Sequence, residues 1–166
     1  MFHTILCATD GSEHGDRALR HAIELARHDE AHLHVVHVIE RWMGGLLAGE
    51  TVFIDERETK AKVRAQTAEI AGDLDVPLTV HMPTTTGSRV ADRLAAVADR
   101  LDADVIVVGV RGHSALGGLM LGSVTGRLLH IAHRPILAVP PDGAPPAGTV
   151  SAAGVAAIRS AVSGSR

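Results

Sequence analysis

Along residues 1–140, apolar runs of strand length alternate with stretches in which apolar residues recur every three or four positions. Phe2–Thr9, apolar around Ile5-Leu6-Cys7-Ala8, predicts a strand that stops at "TDGS", where Gly11 suits a turn and Ser12 an N-cap. Over residues 13–29, Ala18, Leu19, Ala22, Ile23, Leu25 and Ala26 fall at helical spacing and leave Arg and Glu on the opposite face. Residues 31–40, "AHLHVVHVIE", predict a second strand, and the glycine-broken "RWMGGLLAGE" over 41–50 a mobile loop. A charge-rich segment over 55–73, with Val63, Ala68 and Ile70, predicts a solvent-facing helix. "VPLTVHM" then reads as a third strand. "SRVADRLAAVADRLDA" is a third helix with Val90, Leu94, Val97 and Leu101 on one stripe, and "DVIVVGV" a fourth strand. "SVTGRLLHIAHR" makes a fourth helix through Val124, Leu128 and Ile131, and Pro135 leads into a fifth strand, "ILAVP".

Strands alternating with helices call for a parallel sheet covered by helices on both faces and joined by right-handed crossovers. The fourth strand shows no polar alternation, as expected where both faces are buried. In an open α/β sheet, ligands bind beyond the carboxyl ends of the strands where the strand order reverses. For five strands in the order 3-2-1-4-5, that point lies between the first and fourth, which end at Thr9-Asp10 and at Gly109. The acidic turn and the glycine-rich "GVRGHSALGGLMLGS" should therefore face one crevice.

Composition narrows the picture. The 166 residues fit one domain of residues 1–140, followed by a Pro/Ala/Gly-rich tail over 141–166 that is expected to be disordered. No apolar run reaches bilayer length, the start lacks a signal-peptide pattern, and Cys7 is the single cysteine, so a cytoplasmic protein without membrane association is expected. A net charge of −3 and 2% aromatic residues give no sign of a nucleic-acid surface. Eleven histidines make the charge sensitive to pH between about 6 and 7.

The glycine stretch has the spacing Gly109-x2-Gly112-x9-Gly122-Ser123. It is neither a dinucleotide-binding G-x-G-x-x-G nor a Walker A loop. Gly109 and Gly112 let backbone N–H groups approach a ligand closely, and Gly122-Ser123 opens a helix whose free N–H groups favour an anion. The two lysines, Lys60 and Lys62, lie far away along the chain, and Arg111, His113 and Arg127 are the nearby cations. Read alone, a flexible connector and a phosphate site are evenly balanced. The preceding buried strand, the Gly-Ser helix start and Asp10 opposite favour the phosphate.

With these residues in place, "GVRGHSALGGLMLGSVTGRLL…RPILAVP" resembles the universal stress protein signature G-x2-G-x9-G-S/T. "ILCATDGSEHGDRALRHAIELA" is similar to that family's first strand, aspartate and first helix. The resemblance implies a flavodoxin- or Rossmann-like three-layer sandwich and, in the motif-bearing branch, binding of ATP, or of ADP or AMP. It implies that Ala8, Thr9 and Asp10 lie by the adenosine and that the Val38 backbone contacts the base. It likewise implies Gly109, Arg111 and Gly112 along the ribose and phosphates, and Gly122, Ser123 and Val124 on the phosphates with Thr125 close by. Mg2+ or Mn2+ would be held through the phosphates, not by a protein cage. The family's usual dimer pairs fifth strands, which here implies a homodimer through Ile136, Leu137, Ala138 and Val139, an apolar edge otherwise prone to aggregation. One departure concerns "MPTTTGSRV": Thr84 and Thr86 stand where the family often carries glycine and proline, so a different local turn is expected.

Other features have plainer readings. Asp10 could serve only the helix dipole; its place at the switch point favours a ligand. His32 and His34 share a strand face, where packed histidines are expected over a metal pair. Cys7 is expected to be a buried, inert thiol. Trp42, Met43, Leu46 and Leu47 either pack on the second helix or form a lid over the base. No catalytic constellation is legible: Ser123 has no adjacent base and stands in no G-x-S-x-G elbow, while His113 and Asp10 could at most polarise a water. The expected function is an adenine-nucleotide-binding stress-response module acting through its ligand and its dimer state. The alternatives are a slow ATP hydrolase and a dimeric interaction protein that binds no nucleotide.

Overall fold

Strand β1 (Thr4–Ala8) sends Ile5 and Cys7 to one side and Leu6 and Ala8 to the other, and both sides find apolar partners. The computed structural model describes residues 1–41, 56–87, 89–110 and 121–141. Among them, α1 (Glu13–Asp29), β2 (His32–Val36), β3 (Ile39–Arg41), α2 (Glu56–Ala71) and β4 (Leu78–His81) follow β1. Next come β5 (Thr84–Thr86), α3 (Val90–Arg100), β6 (Val105–Gly109), α4 (Ser123–Ile131) and β7 (Ile136–Val139).

Five strands form a parallel sheet in the order β4-β2-β1-β6-β7. Counting these strands alone, this is the 3-2-1-4-5 order that places a switch point between β1 and β6. Ile5, Cys7, Leu33, Val35, Val105 and Val107 pack with Ala18, Leu19, Ala22, Ile23 and Ala26 of α1 and Ala71 of α2. Leu6, Ala8, Val36, Ile106 and Val108 pack on the other face with Leu94, Val97 and Ala98 of α3 and Leu128 of α4. This two-sided cover makes three layers and accounts for the unbroken apolar runs of β1 and β6.

Three local expectations are corrected. "AHLHVVHVIE" is two strands: β2 ends at Val36, and β3 pairs in parallel with β5 in a separate two-stranded sheet. The cause lies in the neighbours. His37 N donates to His81 O at the end of β4, and Pro83, which has no N–H, cannot extend that ladder. Ile39 N then donates to Pro83 O and opens the new one. Thr84–Thr86 accordingly form a strand instead of a turn, which suits β-branched side chains. In α2 the buried stripe is Val63, Thr67 and Ala71, and Ala68 is exposed.

The N-terminal strand is fastened at its start. Phe2 N donates to Asp29 Oδ2 at 2.6 Å, and the His3 and Thr4 amides donate to Asp104 Oδ2 at 2.6 and 2.8 Å. These bonds hold both carboxyls below the usual carboxylate range. No helix among the described residues is long and apolar enough to cross a membrane.

Candidate functional site

The polypeptide leaves β1 through a turn tied by its own side chains. Gly11 N donates to Thr9 Oγ1 at 3.1 Å, and Gly11 has φ +75°, a conformation that glycine adopts without strain. Ser12 N and Ser12 Oγ both donate to Asp10 Oδ1, at 3.0 and 2.5 Å. Ser12 Oγ in turn accepts from Gly15 N at 3.2 Å and is the expected N-cap of α1. The exposed Asp10 carboxylate thus supports the entry to the helix as well as standing at the end of β1.

Two further contacts lock this turn to its surroundings. Thr9 N donates to Val36 O at 3.0 Å, and His37 Nδ1 donates to Thr9 O at 3.0 Å. From α2, Gln66 Nε2 bonds both oxygens of Asp16 at 2.8 Å and reaches Gly11 O at 3.4 Å. Gly15 is buried inside α1, and a Cβ there would stand 2.8 Å from Thr9 Oγ1 and 2.9 Å from Asp10 Oδ1. The helix can approach the turn this closely only because residue 15 has no side chain.

On the other side of the switch point, β6 ends at Gly109, beside the end of β1: Ala8 is in register with Val108. Helix α4 docks directly onto this end. Gly122 N donates to Val110 O at 2.8 Å, and the buried Thr125 Oγ1 donates to Gly109 O at 2.8 Å. The first intrahelical bond of α4 is Gly126 N to Gly122 O, so the N–H groups of Ser123, Val124 and Thr125 have no acceptor within the helix. They and the positive end of the helix dipole suit an anion. Val38, buried, follows the end of β2.

Of the residues singled out in the sequence, Ala8, Thr9, Asp10, Val38, Gly109, Gly122, Ser123, Val124 and Thr125 thus sit on the carboxyl ends of β1, β2 and β6 or at the start of α4. Arg111, Gly112 and His113 lie outside the described residues, as do Trp42, Met43, Leu46 and Leu47. Arg127 is committed elsewhere: its Nε and Nη2 donate to the two Asp92 oxygens at 2.9 and 2.7 Å, joining α4 to α3. Thr125 spends its hydroxyl on Gly109 O and has its backbone N–H to offer.

Three contributors escaped sequence reading. Gly15 carried a usable signal, a glycine inside an otherwise helical pattern. His37 sat in an apolar run with nothing to mark its reach to Thr9, and Gln66 pairs with residues at least 50 positions away. Cys7 is fully buried and its thiol is pushed up to about 12 by desolvation, an unreactive state. Among the described residues, no group of three His, Cys, Asp or Glu side chains could hold a metal ion.

The profile of the universal stress protein family matches residues 1–140. A universal stress protein of Thermus aquaticus is 36% identical, with 84% of this chain and 99% of the relative covered. A solved universal stress protein from Archaeoglobus fulgidus superposes with a TM-score of 0.65 at 28% identity, covering 84% of this chain and 99% of that one. A universal stress protein from Archaeoglobus fulgidus in complex with dAMP superposes with a TM-score of 0.61 at 26% identity, covering 84% and 98% of the two chains.

Proposed function

The chain belongs to the universal stress protein family, and we propose that it binds an adenine nucleotide in the crevice between β1 and β6, acting as a cytoplasmic stress-response module. The observation that carries the reading is the start of α4 seated on the end of β6, its first three N–H groups without intrahelical acceptors, beside the Thr9–Ser12 turn of β1. The structure of a relative in complex with dAMP supports the same ligand class.

In this reading Ala8, Thr9, Asp10 and Val38 take the adenosine, and Gly109, Arg111 and Gly112 follow the ribose and phosphates. Gly122, Ser123, Val124 and Thr125 hold the phosphates through backbone N–H groups. Hydrogen bonds to a charged group contribute about 1.5–3 kcal/mol each, so a few such donors retain a polyphosphate without a lysine. Mg2+ or Mn2+ enters with ATP through phosphate oxygens, since Asp10 is the one carboxylate placed on the turn. Among the described residues β7 is an edge strand, which supports a homodimer through Ile136–Val139, with Leu137 43% exposed there.

Mass spectrometry of the ligand that co-purifies, with thermal shift on added ATP, tests the reading against Gly122→Val. Gly122 has φ −58°, which valine tolerates, so its side chain should crowd the ligand without unfolding the helix start. Nucleotide carried by the wild type and lost from the variant is the expected result. Equal occupancy in both, or no melting shift with ATP in large excess, overturns the reading. Light scattering at micromolar concentration tests the dimer, and a monomer refutes it.

A further inference from the structure

Away from the helix start, three histidines gather where β2 meets β4. His32 and His34 stack with ring centroids 4.0 Å apart and an interplanar angle of 21°. His34 Nδ1 lies 2.9 Å from His81 Nε2, and His32 Nε2 lies 2.9 Å from Thr79 Oγ1. The register sets the group: His34 stands opposite Thr79 on β4 and Leu6 on β1, and His81 opposite Val36.

We propose that the His34–His81 pair is a proton-sensitive latch on the crevice, holding the ends of β2 and β4 together and, through His37, setting the position of the Thr9–Gly11 turn. The bond between the two rings has one nitrogen donating and the other accepting. It survives with both rings neutral or with one proton added, and a second proton removes its acceptor. The charged groups that face the pair are positive when ionised: His32 beside both rings, and Arg100 from α3 acting on His81. From β1 the neighbour is Leu6, and from β4 the neutral hydroxyl of Thr79. Burial and these neighbours hold His34 down to about 4 and lower His81 as well, so the latch is closed and neutral at pH 7. Acidification brings charge into a stack that opposes it.

The route to the crevice is short. His81 O accepts from His37 N at 3.0 Å, and the His37 ring donates to Thr9 O at 3.0 Å. Val36, in register with His81, accepts from Thr9 N at 3.0 Å. Spreading β4 from β2 therefore pulls on both bonds that hold residue 9, one from the His37 ring and one to the Val36 carbonyl. This coupling runs through the protein's own hydrogen bonds and does not depend on what the crevice binds.

The test is an NMR titration of the full chain without nucleotide from pH 7.5 to 3.0, following imidazole nitrogens and backbone amides. His34 and His81 should titrate below the ordinary histidine range as a coupled pair, with the Thr9 and Gly11 amides shifting at the lower of the two midpoints, where the second proton breaks the bond. In the double variant His34→Asn and His81→Gln, the side-chain amides occupy the Nδ1 and Nε2 positions and do not titrate, so the Thr9 and Gly11 shifts should flatten. Amides that follow the His37 midpoint instead, or that move as far in the variant as in the wild type, overturn the latch. Should the variant not fold, the wild-type midpoints decide alone: agreement supports the latch, and disagreement overturns it.

Discussion

Replacing Gly15 by alanine sets two effects of opposite sign against each other. Alanine in a helix is favoured over glycine by about 0.8–1.0 kcal/mol, so at an indifferent position the change stabilises the protein. Here the new Cβ would sit 2.8 Å from Thr9 Oγ1, 2.9 Å from Asp10 Oδ1 and 3.2 Å from Asp10 N. Those oxygens are not loose ends. Thr9 Oγ1 accepts from Gly11 N, and Asp10 Oδ1 accepts from both Ser12 N and Ser12 Oγ. Moving them strains three hydrogen bonds worth about 0.5–1.5 kcal/mol each, and overpacking a tight contact typically costs about 1–3 kcal/mol. Subtracting the helix gain leaves a net loss of about 1 kcal/mol, or about 2–4 °C in melting temperature for a chain of this size. Because the displaced atoms line the proposed adenosine side, ATP affinity should fall several-fold as well. Differential scanning calorimetry and isothermal titration of the variant measure both. A melting point raised by the substitution, with affinity unchanged, would show that α1 and the turn do not approach as described.

Other consequences follow from single contacts. Thr125→Val removes the buried hydroxyl from Gly109 O and should cost about 1–2 kcal/mol by chemical denaturation, while Thr125→Ser keeps most of the stability; equal losses would refute the bond's role. His34 is held at about 4 against 6.5 in the unfolded chain, so the unfolded state takes the proton first. Its contribution to stability is complete above pH 6.5 and is lost as pH falls towards 4. The loss is about 1–2 kcal/mol, less than 1.36 kcal/mol for every pH unit between the two values, because the His34–His81 bond is only part-buried. Melting curves of His34→Asn should be flatter over that window, and an unchanged slope counts against the assignment. Cys7, fully buried, should resist alkylation in the native state and react at the rate of global unfolding; rapid labelling at neutral pH would contradict its burial.

Much of this architecture was legible from periodicity because local patterns coincide with what the fold buries. The α1 stripe of Ala18, Leu19, Ala22, Ile23 and Ala26 is the buried face, and α1 spans the same residues 13–29 that the pattern marks out. Ser12 as N-cap could be read from its residue type and position. The switch point followed from strand order alone, and it brought Thr9-Asp10 and Gly109 to neighbouring strand ends although 99 positions separate Asp10 from Gly109.

What could not be read lies where a partner distant in sequence decides the outcome. The run over residues 31–40 is uniformly strand-like, and only the end of β4 at His81 and the missing N–H of Pro83 divide it into β2 and β3. Gln66 looks like any polar residue on an exposed helix until α2 packs beside Gly11 and Asp16. His34 and His81 lie 47 positions apart, and parallel pairing of β2 with β4 makes them one hydrogen-bonded pair. From the sequence came the five strands of the main sheet and the four helices, and, once the strand order 3-2-1-4-5 is supposed, the place of the switch point, because periodicity, capping and connection handedness are local or topological rules. The tertiary structure alone decided which polar side chains meet there, because hydrogen bonds between elements depend on register and approach, which no local pattern encodes.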